Sequence, residues 1–359
     1  MLAKFSATEG YRPLEGVYLK RLNRFLVECE VKGQICQAFL PNPGRLWEYL
    51  FPGSVILVNP RTLSATRKTE LTVSGILRED TYVMLDTHTS NKAVSWLISH
   101  RLIPGLEDFE VIREEISLGN SRFDLLLRDS DGSLLMEVKS CTLFGNSIAM
   151  FPDAPSNRAT RHVRELREHS LKGGRSGILF LVNSRKPSYF LPDYHTDPEF
   201  ARVLYDARRD IRIMAVSVSW DRDLCVDEER AGILNIPWSV IEKEAGDSGS
   251  YLVILELRAD KEISIGSLGS IMFPSGFYVY VGSAARGLEQ RMNRHLRKRK
   301  NFHWHIDYLR DHADKVRILP VRTSSSLECI LAEKVGIISD GSVRGFGVQI
   351  VIVPVIFFL

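Results

Sequence analysis

The stretch from 121 to 140 limits what this chain can fold into more than any other. Leu125-Leu126-Leu127-Arg128 leads into Asp129-Ser130-Asp131-Gly132 and then Ser133-Leu134-Leu135-Met136, which predicts a strand, a tight turn and a second strand. If Ser130-Asp131 form a two-residue turn, position 124 pairs with 137; if Asp131-Gly132 form it, 124 pairs with 139. Side chains alternate with period two, so both registers put Asp124, Glu137 and Lys139 on one face. A three-residue loop with a bulge breaks that parity. Two carboxylates and an ammonium are costly on a dry face, because each buried ion needs a partner. Around a hydrated cation they are matched. Asp124 and Glu137 offer hard oxygen ligands to Mg²⁺ or Mn²⁺, and Lys139 stands where a water attacking a phosphodiester would be oriented or deprotonated. The same residues also fit an ordinary cross-strand ion pair on a solvated hairpin face.

The chain has 359 residues, enough for two or three domains with cores of their own. Its net charge is only +3, so a nucleic-acid surface has to come from local clustering. Five cysteines, odd in number and without a CxxC spacing, predict reduced thiols in a cytosol, with no zinc site or disulfide framework expected. The first residues hold no sustained apolar segment, so no signal peptide is expected. The apolar run 350–359 is short and broken by Pro354, and reads as a buried final strand, not a membrane span.

Strands at 25–31, 34–40, 54–58, 71–77 and 82–85 predict a small barrel or sandwich over 1–85. A helix over 92–102 precedes the hairpin. Helices over 156–171 and 199–209, with strands at 177–182 and 211–218, make 86–243 an α/β domain. Residues 244–250 are small and polar and read as a linker. Beyond them, strands at 251–257, 276–281 and 316–321 and helices at 288–300, 305–311 and 327–335 predict a second α/β unit over 251–359.

Six motifs in order, Arg21-Leu22-Asn23-Arg24-Phe25-Leu26, Pro41-Asn42-Pro43-Gly44-Arg45-Leu46, Arg67-Lys68-Thr69, Ser121-Arg122-Phe123-Asp124, Glu137-Val138-Lys139-Ser140 and Phe151-Pro152-Asp153-Ala154-Pro155, resemble the sugar fermentation stimulation protein A family over the first 240 residues. The resemblance implies an OB-like barrel, a PD-(D/E)XK nuclease domain, DNA binding and DNA/RNA nuclease activity. It implies Asp124 and Glu137 as metal ligands, Lys139 as the water-activating residue, and Glu115 as a further acid. An acid on the helix before the hairpin, after an Asn-x-x-Val step, is also implied; here Asn91-Lys92-Ala93-Val94 is followed by Ser95.

OB-type barrels bind nucleic acid through basic grooves and aromatic platforms. Arg24, Arg45, Arg67 and Lys68 are candidate contacts of that kind, Trp47 and Tyr49 candidate stacking rings; the alternative packs Trp47 and Leu46 inside. On the 156–171 helix Arg161 is the candidate phosphate contact, although Glu165 and Glu168 offer it local pairing.

Residues 250 to about 335 resemble the GIY-YIG nuclease type on Gly249-Ser250-Tyr251, Tyr280-Val281-Gly282, Leu288, Arg291, His295 and Glu328. The resemblance implies Tyr251, Tyr280 and Arg291 as catalytic groups and Glu328 as the metal-binding acid. Arg294, Arg297 and Lys298 belong to a dense basic run suited to phosphates. The chain is thus expected to be a cytoplasmic α/β (α+β) protein that binds DNA or RNA and hydrolyses phosphodiesters with Mg²⁺ or Mn²⁺, needing no small-molecule cofactor and no membrane. The alternative is a non-catalytic DNA-binding regulator that retains nuclease folds.

Overall fold

The structure is a computed structural model that describes residues 4–8, 12–60, 69–119, 121–226, 230–343 and 350–353. The chain forms two compact units, residues 1–241 and 242–359. Among the described residues no helix is long and apolar enough to cross a membrane.

In the first unit six strands, β1 (Leu14–Asn23), β2 (Leu26–Val31), β3 (Gln34–Phe39), β4 (Val55–Pro60), β5 (Leu71–Arg78) and β6 (Thr81–Met84), run in the order β3-β2-β1-β4-β5-β6. Parallel pairing of Ala38 with Leu71 and Phe39 with Thr72 joins β3 to β5 and closes the sheet into the expected OB-like barrel. The sequence reading missed β1, because Lys20, Arg21 and Asn23 interrupt its apolar alternation and half of the strand is exposed. Inward residues Val27, Ala38, Ile56 and Val73 join Phe123, Val163, Ile178 and Phe180 of the next layer in one core. This shared interior is why the barrel and the α/β layers form a single unit.

The following helix α1 (Thr87–Ser99) starts five residues before its expected onset. Asp86 caps it by accepting from the His88 N–H, and the polar first turn hides the start from an apolar pattern. Next come β7 (Glu110–Leu118), β8 (Ser121–Asp129), β9 (Gly132–Cys141), α2 (Asn157–Leu171), β10 (Ser176–Val182), α3 (Pro198–Ala207) and β11 (Arg212–Ser217). Their sheet has the order β11-β10-β9-β8-β7, with the short strand Gly232–Ile233 outside β11. Parallel pairing of β9, β10 and β11 is the α/β signature the sequence predicted. Ala93, Val94 and Leu97 of α1 cover one face of the sheet, Val163 and Leu166 of α2 and Leu204 of α3 the other.

In the second unit β12 (Gly249–Leu257), β13 (Gly276–Ala284), α4 (Leu288–Leu296), α5 (His305–His312), β14 (Lys315–Arg322) and α6 (Glu328–Ile337) follow in sequence. The sheet is antiparallel, ordered β14-β12-β13 and continued by the strands Ile350–Val353 and Gly341–Ser342. Leu288 and Ile306 pack with Tyr251 and Val253 on one face, Ala332 and Val335 with Ile254 and Val279 on the other. The apolar run near the end does supply a strand; 354–359 lie outside the described residues.

Two expectations are corrected. Residues 244–250 are not a free linker: Gly249 and Ser250 open β12 and are buried, and Arg322 donates to Asp247 Oδ1 at 3.1 Å. The helix expected to run to residue 300 ends at Leu296, and Arg297 is extended. Four consecutive cations repel on a continuing helix, whereas the bend lets Lys300 reach Asp307 at 2.6 Å.

Candidate active site

The hairpin adopts the first of the two registers, with Asp129 opposite Gly132 and Leu125 opposite Met136 around the Ser130-Asp131 turn. The ladder stops there. Beyond it Asp124 Oδ2 accepts from the Val138 backbone N–H at 2.7 Å, and Oδ1 accepts from Asn91 Nδ2 of α1 at 2.6 Å. One residue further along β9, Glu137 is 1% exposed. Its Oε1 meets both the Lys139 ammonium and His162 Nδ1, the latter at 2.6 Å from α2. Oε2 is buried without a hydrogen-bond partner among the described residues.

These groups line a cleft of about 390 Å³ bounded by Asn42, Gly44, Asn91, Asp124, Glu137, Lys139 and Asp153. Burial and the neighbouring Glu137 charge push the Asp124 carboxyl up to about 6, against the opposing pull of the Val138 N–H, Lys139 and Asn91. Burial also raises Glu137, but the His162 hydrogen bond and the Lys139 charge outweigh it and leave Glu137 below the ordinary range. Two desolvated carboxylates therefore share one excess of negative charge, and one of them keeps an unsatisfied oxygen. That donor set fits a hard divalent cation, which takes one or two carboxylates and retains waters. Among the described residues no group of three or more His, Cys, Asp or Glu converges anywhere.

Glu115, expected as a further acid, lies on the cleft rim but pairs with Arg122 at 3.3 Å and does not join the two carboxylates. Ser95 does not line the cleft; Thr87, His88 and Asn91 of α1 do, and Asn91, one turn before Ser95, is the one hydrogen-bonded to Asp124. Asn91 belongs to the Asn-x-x-Val step itself, so that step is on the helix that reaches the cleft. His162 was missed, although its spacing with Leu166 places it on the buried stripe of α2.

Arg24 lines the cleft, and Arg45 lies beside Trp47 with its guanidinium 4.9 Å from the ring centre. Trp47 is 69% exposed while Leu46 is buried, so the reading that packs both inside is half wrong. Tyr49 is unavailable for stacking because it is buried, its hydroxyl donating to Thr142 O. Arg161 pairs locally with Glu165 at 3.8 Å, and Arg158 is the α2 arginine that lines the cleft. Arg67 and Lys68 lie outside the described residues.

In the second unit Tyr251 faces Gly282 across β12 and β13. A Cβ at Gly282 would come within 2.6 Å of the Tyr251 ring, so this position needs glycine for the close approach. The Tyr251 hydroxyl and His295 Nε2 are 3.0 Å apart, and the Tyr280 ring centre lies 5.8 Å from that of His295. Burial pulls His295 down to about 4, with nearby Lys300 adding to the effect, so its ring is neutral at pH 7. Burial and the adjacent Tyr280 raise the Tyr251 phenol; burial and Glu328 raise Tyr280. Arg291 donates to Ser283 O at 3.2 Å, and Glu328, first residue of α6, accepts from Ser283 Oγ. The sequence-predicted Tyr251, Tyr280, Arg291 and Glu328 thus gather around the interior strands β12 and β13. The basic run divides. Arg294 is not a free phosphate contact, because with Lys300 it is committed to the buried Asp307, at 3.0 and 2.6 Å. Arg297 and Lys298 stay exposed.

Comparison with known proteins matches this division. Residues 19–85 match the SfsA N-terminal OB domain, 88–223 the sugar fermentation stimulation protein RE domain, and 250–349 a domain of unknown function, DUF123. A sugar fermentation stimulation protein homolog of Methanothermobacter thermautotrophicus is 38% identical over 192 residues, covering 54% of this chain and 80% of the relative. A homolog from Methanosphaera stadtmanae is 40% identical over 196 residues, covering 54% and 81%. A solved structure of Pyrococcus furiosus SfsA in complex with Ca²⁺ superposes with a TM-score of 0.59 at 29% identity, covering 65% of this chain and 99% of that one. By sequence and by fold, the chain belongs to the sugar fermentation stimulation protein family.

Proposed function

We propose that the Asp124, Glu137 and Lys139 cleft is a PD-(D/E)XK-type centre that binds a divalent cation, Mg²⁺ or Mn²⁺, and hydrolyses phosphodiesters of DNA or RNA. The observation that carries this reading is the buried, unpartnered Oε2 of Glu137 beside an Asp124 carboxyl pushed up to about 6. Both features are unfavourable in the free chain and are relieved by a cation. The Ca²⁺ bound by the P. furiosus relative supports a hard cation in this family.

Asp124 and Glu137 would hold the cation, which when bound supplies charge neutralisation to the phosphoryl oxygens. The chain's own residues do the rest. Asn91 and the Val138 N–H orient Asp124, and His162 orients Glu137. Lys139, with its ammonium on Glu137 and its side chain 15% exposed, is placed to hold or release a proton at the attacking water. Water adds to phosphorus as the P–O bond to the leaving nucleotide breaks, and Arg158 at the rim faces the phosphate backbone.

The second unit supports the same chemistry as a GIY-YIG-type centre, with Tyr251 and Tyr280 at the water, Arg291 at the phosphate and Glu328 as the metal acid. Its test is separate from that of the first centre. Titration calorimetry with Mg²⁺ and Ca²⁺ should show uptake that Asp124→Ala lowers by one site while Glu328→Ala leaves that site in place; a wild-type chain that takes up neither cation at millimolar concentration, or an Asp124→Ala chain with undiminished uptake, overturns the first-unit reading. Nucleic-acid binding without cleavage under Mg²⁺ or Mn²⁺ would leave a non-catalytic binding protein.

A further inference from the structure

Residues 41–47 of the barrel are held from three sides. Arg21 donates through Nη1 to Gly44 O at 2.7 Å and Arg45 O at 3.0 Å, and through Nη2 to Arg24 O at 2.8 Å and Asn42 O at 3.1 Å. One guanidinium thereby ties the turn after β1 to the 41–47 loop, a fork that a lysine ammonium does not reproduce. From α1, Thr87 Oγ1 donates to Pro41 O at 2.9 Å. From the loop before α2, the Asp153 carboxylate packs against the 41–47 stretch and lines the Asp124 and Glu137 cleft. Gly44 lies so close to this carboxylate that a Cβ would meet Asp153 Oδ2 at 2.2 Å. Leu46 is buried at φ 52°, and its neighbour Trp47 is left 69% exposed.

A fixed loop that points tryptophan at solvent is unusual for a barrel with a well-filled core. Two aromatic rings on the joined loops carry a guanidinium each: Arg45 lies 4.9 Å from the Trp47 ring centre, and Arg24 lies 5.8 Å from that of Phe25, itself 44% exposed. Arg24, Pro43 and Gly44 line the carboxylate cleft, and three residues of chain place Trp47 within about 11 Å of Gly44. Apolar rings with cations beside them suit a ligand that has flat faces and negative charges in alternation. A polynucleotide has both, but in a duplex the base faces are occupied by stacking.

We infer that residues 41–47 form a stacking platform for single-stranded nucleic acid, with Trp47 taking a base and Arg24 and Arg45 taking phosphates on the way into the cleft. This rests on the reading of the cleft as a phosphodiester site and gives that site its substrate class, an unpaired strand. Stacking uses the base and not the sugar, so DNA and RNA strands are both accepted.

The test is fluorescence-anisotropy binding of the full chain in EDTA, where cation uptake and cleavage play no part, to oligo(dT), oligo(rU) and a blunt DNA duplex of equal length. Trp47→Ala, at an exposed position, should weaken both single strands about tenfold or more and the duplex less than about twofold; Trp47→Phe should restore most of the loss. Arg21→Lys, which loosens the loop without touching a base, should weaken the same two ligands. Equal loss on duplex and single strands, no loss with Trp47→Ala, failure of phenylalanine to restore binding, or a loss confined to one of dT and rU would overturn the platform. Cation uptake by the cleft is read separately in Asp124→Ala, so failure of the catalytic reading and failure of the platform are distinguishable.

Discussion

The two candidate centres solve one electrostatic problem in opposite ways. In the first unit a half-buried Asp124 and a buried Glu137 lie together with Lys139 and His162, and one oxygen of Glu137 has no partner among the described residues. In the second, the single acid Glu328 already accepts from Ser283, and the surrounding polar groups are a tyrosine and histidine pair, a second tyrosine and an arginine. The first leaves an acid oxygen unpaired, and the proposed cation site rests on that oxygen. In the second the acid is already hydrogen-bonded, the atom left without a partner among the described residues is a neutral one, His295 Nδ1, and the buried ion pair sits elsewhere, at Asp307 under Arg294 and Lys300. A strongly perturbed carboxylate marks a functional candidate only where its partners leave something undone.

The sharpest way to break this comparison is to compare Mg²⁺- or Mn²⁺-dependent cleavage by wild type, Lys139→Ala and Tyr280→Phe. If cleavage arises in the first unit, Lys139→Ala lowers the rate by about a hundredfold or more and Tyr280→Phe leaves it near wild type; the reverse pattern assigns it to the second unit. Equal cleavage by all three sinks both assignments.

Asp307→Asn tests the claim that the second unit's buried charge is structural. Arg294 and Lys300 would lose their common anion, at a cost of roughly 3 kcal/mol in unfolding experiments. Asp307 is held well below the ordinary carboxylate range because hydrogen bonds from Arg294 and Lys300 outweigh burial. Its contribution is therefore present above about pH 4 and is lost only as pH falls through its depressed folded value. A variant as stable as wild type at pH 7 would remove this distinction between the units.

Gly282→Ala should destabilise by about 1–3 kcal/mol, since the added methyl meets the Tyr251 ring. Hydrogen exchange locates the effect, which belongs to β12 and β13 and spares the barrel.

The smallest effect has the most specific sign. Asp124 is raised in the folded chain, so its ionisation opposes folding: the penalty is absent below about pH 4, grows as pH rises through about 6, and is full above it. Asp124→Asn should stabilise the cation-free protein at pH 8 by on the order of 1–2 kcal/mol, with the gain vanishing by about pH 4. In Mg²⁺ the order reverses, because only wild type gains from cation uptake. Wild-type cation affinity should fall as pH drops below about 6, where the proton competes for Asp124. Melting curves in EDTA and in Mg²⁺ across that range check all three statements.

Much of the fold was legible in local patterns. Apolar alternation located the hairpin and most strands, and the strand-helix-strand order of 176–217 predicted parallel pairing. Where local signals were weak the reading failed: half of β1 is exposed, α1 begins with polar residues, and of the stretch read as a linker Gly249 and Ser250 open a strand while Asp247 accepts from Arg322. At the sites, strand periodicity put the two acids and the lysine on one hairpin face, and the structure brings them together in one cleft. Residue types did not foretell which basic residues were already engaged, because Arg294 and Asp307 are thirteen residues apart and meet only when α4 and α5 pack.

By itself the sequence determined the order of chemistry along the chain, with acid, acid and lysine on one hairpin and tyrosine, tyrosine, arginine and glutamate in a later unit, since residue types and strand periodicity are local properties. Only the tertiary structure decided the register, the recruitment of Asn91 and His162, the exposure of Trp47 and the burial of Tyr49. Proton affinities followed from the same step. A carboxyl rises to about 6 only when helices and strands distant in sequence exclude water from it, and desolvation is a property of the packed chain.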